Sequence, residues 1–83
     1  MSFRVHVRVM PRTGLLDPQG QAVEHALAAL GFGGAADVRV GRAIELDIAA
    51  ASPEEAKQEA QRMCDRLLAN PVTEDYELEV ETR

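Results

Sequence analysis

Aromatic residues, cysteine and positive charge are all scarce in this chain of 83 residues. Aromatic residues make up 4% of it, with no tryptophan. Lysine and arginine together number 9 against 14 for aspartate and glutamate, which gives a net charge of −5. An acidic chain with few aromatic residues lacks both the attraction to phosphates and the stacking surfaces that nucleic-acid binding requires. We therefore expect no nucleic-acid partner.

The single cysteine, Cys64, excludes an internal disulfide and a cysteine-based metal site. Its position beside the apolar stripe of a predicted helix favours burial as a small hydrophobic residue over a role as nucleophile. A reducing cytoplasm is the compartment that this cysteine usage indicates. The longest nearly apolar run, residues 26–36, is shorter than the roughly 18 residues of a membrane span. We expect no membrane association and no signal peptide.

The length of the chain predicts a single domain over residues 1–83. A hydrophobic content of 46% is typical of a globular protein. Such a short chain buries only about 60% of its unfolded surface, which makes it marginally stable alone and favours association with other copies. The length also excludes a self-contained enzyme with separate cofactor and substrate domains.

Local signals predict a strand near each end of the chain and two helices between them. Residues 3–10 alternate apolar and polar side chains, which is typical of a half-buried strand. Asp17 followed by Pro18 predicts the start of a first helix with an apolar stripe formed by Val23, Ala26, Leu27 and Leu30. A capping box at residues 52–55 predicts a second helix that ends near Ala69, before Pro71.

The stretch from Asp37 to Ala49 allows two interpretations, because its large apolar residues all stand at even positions: Val38, Val40, Ile44, Leu46 and Ile48. One long strand bent at Gly41 keeps that parity, and so does a hairpin with a loop at residues 41–43. We favour the first, an α+β fold of β-α-β-α-β order. It is a two-layer sandwich in which an antiparallel sheet with a long bent middle strand carries two helices on one face. The alternative is a β-α-β-β-α-β, ferredoxin-like fold.

The last strand is predicted over residues 76–80. Its outward side chains are glutamates, whereas Arg4 and Arg8 point outward from the first strand. Because opposite charges directly across a ladder favour pairing, we expect the first and last strands to be neighbours.

No catalytic arrangement is recognisable, but three segments carry residues that a simple scaffold does not require. Gly20 stands in the first turn of a helix, a poor choice unless another part of the backbone approaches closely. The other two segments are residues 38–42, where two arginines flank a glycine, and residues 67–76, a long connection. Caps, bulges and helix stops are ordinary structural explanations for each.

Taken together, these segments resemble the PurS family, the small subunit of phosphoribosylformylglycinamidine synthase. The resemblance covers essentially the whole chain, and Arg42 stands where the family usually has lysine. It rests on Asp17-Pro18-Gln19-Gly20, Val38-Arg39-Val40-Gly41-Arg42, Leu67-Leu68-Ala69-Asn70-Pro71 and Glu74-Asp75-Tyr76.

The resemblance implies a non-catalytic subunit that associates with a glutaminase, PurQ, and an ATP-using synthetase, PurL. The complex converts formylglycinamide ribonucleotide, glutamine and ATP into formylglycinamidine ribonucleotide, glutamate, ADP and phosphate. The small subunit would bridge the two enzymes and help ammonia to pass between them. It would bind no cofactor, since ATP and magnesium belong to the large subunit, and it would form a homodimer or a dimer of dimers.

The resemblance also singles out residues expected to contact partners or to fix the backbone. Arg39 and Arg42 are candidates for charge pairing at an interface, where the arginine fork is well suited. The remaining candidates are Asp17, Gln19, Gly41, Asn70, Glu74 and Asp75.

Two other classes of function compete with this interpretation. A ferredoxin-like module that binds a small metabolite would need a fourth strand. A small acyl-phosphate hydrolase would use Arg12 or Arg39 to hold an anion and Asn70 to orient water.

Overall fold

The computed structural model describes residues 1–82, which form three strands and two helices. The second helix continues through a π-helical turn at Cys64–Leu68. The elements are β1 (Ser2–Pro11), α1 (Pro18–Ala29), β2 (Arg42–Ala49), α2 (Pro53–Met63) and β3 (Glu74–Thr82).

The strands form one antiparallel sheet in the order β2-β1-β3. The predicted pairing of the first and last strands is confirmed, with Arg4 opposite Glu81 and Arg8 opposite Glu77. The sheet within residues 1–82 has three strands, as the favoured interpretation predicts, so the ferredoxin-like alternative does not fit the described chain. The last strand is longer than the predicted residues 76–80.

The core lies between one face of the sheet and α2. The alternation along β1 turns its apolar side chains inward, and helical spacing in α2 brings Ala56, Ala60 and Cys64 onto them. The predicted burial of Cys64 is confirmed, since its side chain is fully buried. The other buried residues of this core are Phe3, Val5, Val7, Val9, Ile48 and Ala69.

The opposite face of the sheet is charged, with a basic stripe on β1 between acidic strands. His6 lies between two carboxylates, 3.2 Å from Glu45 on β2 and 2.9 Å from Glu81 on β3. Arg8 lies 3.4 Å from Glu77. Arg4 lies 3.3 Å from Asp47 on β2. Opposite charges therefore cross both ladders of the sheet, which is the pattern that the sequence predicts for β1 and β3.

The predicted long middle strand is wrong in its extent. The strand begins at Arg42 rather than at Asp37, so residues 38–41 lie outside the ladder. The N–H groups of Val38 and Val40 donate to the side chains of Glu24 and Asp17 instead of to a strand. Carboxylates of the α1 region thus take the place of a neighbouring strand.

The two helices pack differently, because α2 lies on all three strands whereas α1 makes few contacts with the sheet. The expected apolar stripe of α1 is largely in solvent, with Val23 40% and Leu30 73% exposed. The molecule measures 50 × 26 × 14 Å. Since a ten-residue strand spans only about 33 Å, this length shows that α1 extends beyond the sheet. Its ties to residues 38–40 hold it there.

Candidate functional site

Seven of the eight candidate residues lie at one end of the sheet, where β1 stops and β2 and β3 begin. They form two polar networks, one around the start of α1 and one around the start of β3. The first contains Asp17, Arg39 and Gly41, and the second contains Arg42, Asn70, Glu74 and Asp75.

Asp17 joins the start of α1 to the extended segment before β2. Its Oδ1 accepts a hydrogen bond from the N–H of Gly20 at 3.0 Å, which is the predicted N-cap. Its Oδ2 accepts from the N–H of Val40 at 3.0 Å. These two bonds, with Arg39 nearby, hold the pKa of Asp17 below its usual 3.8 although partial burial opposes the shift.

Gly20 and Gly41 stand where backbones approach too closely for a side chain. A Cβ on Gly20 would lie 2.3 Å from the carbonyl oxygen of Val38. A Cβ on Gly41 would lie 2.2 Å from the carbonyl oxygen of Val9. The close approach expected at Gly20 from the sequence is therefore present, and glycine at both positions lets the segment lie against α1 and β1.

Arg39 holds the end of β1. Its guanidinium donates to the carbonyl oxygens of Pro11 at 3.1 Å and Arg12 at 2.8 Å. Its Nε lies 3.6 Å from Asp17 Oδ2. This arginine is directed at backbone carbonyls of its own chain.

The second network centres on Arg42 and Glu74. The Nη1 of Arg42 lies 2.7 Å from Glu74 Oε2 and its Nη2 3.1 Å from Oε1, a two-point contact, and Nη2 also donates to the carbonyl of Leu68. Glu74 Oε1 in turn accepts from the N–H of Asn70 at 2.7 Å. Hydrogen bonds from Arg42 and Asn70 hold the pKa of Glu74 below its usual 4.5.

The connection between helix and strand is closed by its own side chains. Asn70 Oδ1 accepts from the N–H of Val72 at 3.0 Å, which forms an Asx turn. Arg12 donates to the carbonyl of Pro71 at 2.6 Å and pairs with Asp75 at 3.2 Å. Each of these groups secures the start of β3.

Gln19 is the candidate that lies outside both networks, and Glu24 is a member of the first network that the sequence analysis did not single out. The side chain of Gln19 takes part in none of the hydrogen bonds described for residues 1–82, and it lies exposed on α1. Glu24 was not predicted, yet its Oε1 accepts from the N–H of Val38 at 3.0 Å. Its place seven residues after Asp17 puts both carboxylates on one face of α1, which is the signal that identifies it.

The polar side chains of these networks hold the backbone of their own chain, so few of them are free to act on a substrate. The acyl-phosphate hydrolase alternative needs either Arg12 or Arg39, together with Asn70, to be free, yet all three are engaged by their own chain. Burial and then the charge of Asp65 raise the pKa of the Cys64 thiol, which keeps it protonated.

Metal and membrane sites were sought in the same part of the chain. Within residues 1–82, histidine, cysteine and carboxylate side chains nowhere gather into a group able to hold a metal ion. Neither helix described there combines the length and the apolar character that crossing a membrane requires.

Comparison with known proteins gives a single family. The model of the PurS family, described as phosphoribosylformylglycinamidine (FGAM) synthase, matches residues 4–82. The PurS subunit of Bacillus subtilis is 43% identical over 79 residues, which cover 95% of this chain and 93% of that protein. The PurS subunit of Synechocystis is 42% identical over 79 residues, covering 95% and 79% respectively.

Solved structures agree with this result. The crystal structure of Methanocaldococcus jannaschii PurS is similar with a TM-score of 0.86 at 36% identity, covering 98% of each chain. A chain of the PurLQS structure from Thermotoga maritima is similar with a TM-score of 0.88 at 30% identity, covering 96% of this chain and 98% of that one. The fold around the two networks is thus the fold of these proteins.

Proposed function

The chain belongs to the PurS family of phosphoribosylformylglycinamidine synthase, and on that premise we propose that it is the small, non-catalytic subunit of this synthase in purine biosynthesis. The observation that carries the proposal is the family match over residues 4–82. The associates of this subunit are the synthetase PurL and the glutaminase PurQ, since PurLQS of Thermotoga maritima contains a chain of the same fold.

Within that complex the chain bridges PurL and PurQ and assists the passage of ammonia between them. Ammonia acts as a nucleophile only while it is unprotonated, and bulk water at neutral pH protonates it. A subunit that seals the junction between two enzymes keeps water out of the path. The end of the sheet suits this task, because its two networks hold backbone carbonyls and N–H groups in place.

The chemistry itself belongs to the partners. ATP and magnesium bind to the large subunit, and this chain binds no cofactor. The complex works in the cytoplasm, and copies of this chain associate as a homodimer or a dimer of dimers.

Reconstitution with PurL and PurQ tests the proposal. We expect the three chains to purify together, and formation of formylglycinamidine ribonucleotide from glutamine to require this chain. Synthesis from added ammonia should persist in its absence, because the synthetase site is then supplied directly. Equal glutamine-dependent rates with and without the chain would refute the proposal.

The same assay tests the interface role of the two arginines. Arg39→Ala and Arg42→Ala should weaken co-purification and lower the glutamine-dependent rate, with Lys57→Ala on the exposed side of α2 as the control. Both arginines also hold their own backbone, so circular dichroism must first show that each variant is folded. If both folded variants assemble and react like the wild type, the interface role is lost while the subunit role stands.

A further inference from the structure

The face of the sheet that points away from the core is acidic. We define this outer face by the outward side chains of residues 4–8, 43–47 and 77–81, which lie opposite one another in the two ladders. Five carboxylates stand on it against two arginines and His6. The outer face therefore carries an excess of negative charge whether or not His6 is protonated.

Glu79 is an outward carboxylate of β3 that its own chain leaves without a cation. It stands opposite His6, but the Nε2 of His6 lies against Glu81, at 2.9 Å. The neighbouring Glu77 is paired with Arg8 at 3.4 Å. Among residues 1–82 the exposed side chain of Glu79 takes part in neither an ion pair nor a hydrogen bond. Its charge is available to a cation from another molecule.

A depression lies on the outer face where β2 has a small side chain. Arg8 faces Ala43 across the ladder, whereas the two cations before it on β1 each face a carboxylate of β2. The shallow depression at Ala43 has a volume of about 310 Å³, and Arg8, Glu45 and Glu79 are among the residues that line it. A lysine or arginine of another molecule fits this shape, because its apolar stem can lie over Ala43 while its charged head reaches the carboxylates.

The charge of the outer face limits the kind of molecule that binds there. A second copy of this chain has a net charge of −5 and is repelled from it. Nucleic acid is repelled for the same reason. A basic protein surface is attracted, and opposite charges across an interface favour both rapid association and the correct partner.

Of the two associates, the synthetase is the one whose chemistry calls for a basic surface. In the proposed function PurL binds ATP and formylglycinamide ribonucleotide, both of which carry phosphate groups. A positive potential around a site raises the local concentration of such anions. The substrate of PurQ, glutamine, has no net charge at neutral pH. Charge complementarity therefore favours PurL over PurQ.

We propose that the outer face of the sheet docks against a basic surface of PurL, with a lysine or arginine of PurL in the depression at Ala43 and a cation beside Glu79. This inference rests on the proposed function and names the surface by which the chain meets the synthetase. The cations of β1 already hold carboxylates of both edge strands in place. Little ordering is then needed when PurL binds.

Photo-cross-linking in the assembled complex identifies the molecule that covers the outer face. Glu79→Cys supplies a thiol for a photoreactive maleimide, while Cys64 is fully buried and does not compete for the reagent. In a reconstituted complex that forms product from glutamine, we expect the product of illumination to join this chain to PurL. A cross-link to PurQ or to a second copy, or no cross-link at all, refutes the docking. So does labelling of the same PurL peptide from Glu54→Cys, which lies on α2.

Titration of the chain into PurL and PurQ measures what the outer face contributes. Glu79→Lys reverses the unpaired charge, and Ala43→Gln fills the depression without changing the charge. Glu79→Lys should raise the chain concentration that gives half of the maximal glutamine-dependent rate by about tenfold, because a repulsion replaces an attraction. Added salt should reduce this difference. Ala43→Gln should raise the same concentration, and the maximal rate should stay unchanged in both variants.

The control for this titration is Glu54→Lys, which makes the same change of charge at an exposed position of α2 and should behave like the wild type. Residues 43 and 79 are both exposed, so each variant should keep its circular dichroism spectrum. Variants that titrate like the wild type, or a control that is equally impaired, refute the docking alone. A folded variant with an altered sedimentation mass places the outer face between copies of the chain, which also refutes it. A wild type without effect on the glutamine-dependent rate refutes the proposed function and the docking together.

Discussion

Arg42 donates to both carboxylate oxygens of Glu74, at 2.7 Å and 3.1 Å, and thereby joins the first residue of β2 to the first residue of β3. The two strands are not neighbours, since β1 lies between them. The contact spans the end of the central strand and also reaches the carbonyl of Leu68. It connects the sheet to the end of the helix that covers it.

The stability of the protein should depend on pH through Glu74. Its pKa lies below the usual 4.5 in the folded chain, so its contribution is fully present above that value and is lost as the pH falls through the lowered pKa. Glu74→Gln should therefore lower the free energy of unfolding at neutral pH, and the difference from the wild type should shrink in acid. Urea denaturation at a series of pH values measures this. A difference that is constant with pH would contradict the assignment, and Glu54→Gln, which removes an exposed carboxylate of α2, is the control.

Gly20→Ala should destabilise the protein by about 1–3 kcal/mol, the usual cost of forcing extra atoms into a packed site. The new Cβ would lie 2.3 Å from the carbonyl oxygen of Val38, which belongs to backbone and yields only if α1 moves. The higher helix preference of alanine, worth about 1 kcal/mol, opposes this loss. Gly33→Ala is the matched control, because nothing lies within 4 Å of its Cβ. Equal urea midpoints for the two variants would show that the close approach is unimportant.

Arg8→Glu should weaken the pairing of β1 with β3. It replaces the attraction between Arg8 and Glu77, 3.4 Å apart, with a repulsion between directly opposed residues. Cross-strand pairs of this kind contribute about 0.2–1 kcal/mol, and a loss of that order is expected in thermal or urea unfolding. The double variant Arg8→Glu/Glu77→Arg restores opposite charges and should recover most of the loss. If it is no more stable than the single variant, the effect does not come from this pair.

Cys64 should react with a thiol reagent only when the chain opens. The side chain is fully buried, so a reagent has little access to its sulfur. Burial also raises the pKa of the thiol, so little of it is in the reactive thiolate form. We expect the folded protein to react more slowly than the urea-unfolded chain by a factor of about a hundred or more, because exposure of a core residue requires an opening that costs several kcal/mol. Comparable rates in the two states would contradict the burial.

Local chemistry accounts for the features that the sequence predicts correctly. The N-cap at Asp17 and the helix end near Ala69 depend on residues a few positions apart. The pairing of β1 with β3 follows from opposite charges placed at regular spacing along two segments. Gly20 signals a close approach because glycine is otherwise a poor choice in a first turn.

The extent of the middle strand and the packing of α1 differ from the predictions because they depend on contacts that the spacing of apolar residues along the chain does not specify. Alternating Val38 and Val40 are typical of a strand, but the alternation is the same for any extended segment. Carboxylates from the α1 region accept the N–H groups of these residues, and this pairing depends on where the helix lies. The apolar stripe of α1 likewise shows that the helix needs a partner without showing which surface provides it.

The charge pattern on the outer face of the sheet bears on how the protein resists aggregation. Open strand edges are templates for pairing with other chains, and both edge strands here carry outward carboxylates. The cations that balance them stand on the central strand, where no neighbouring molecule can pair. Two molecules that meet edge to edge at neutral pH therefore bring like charges together. The arrangement stabilises the sheet from within and at the same time protects it against growth into a fibre.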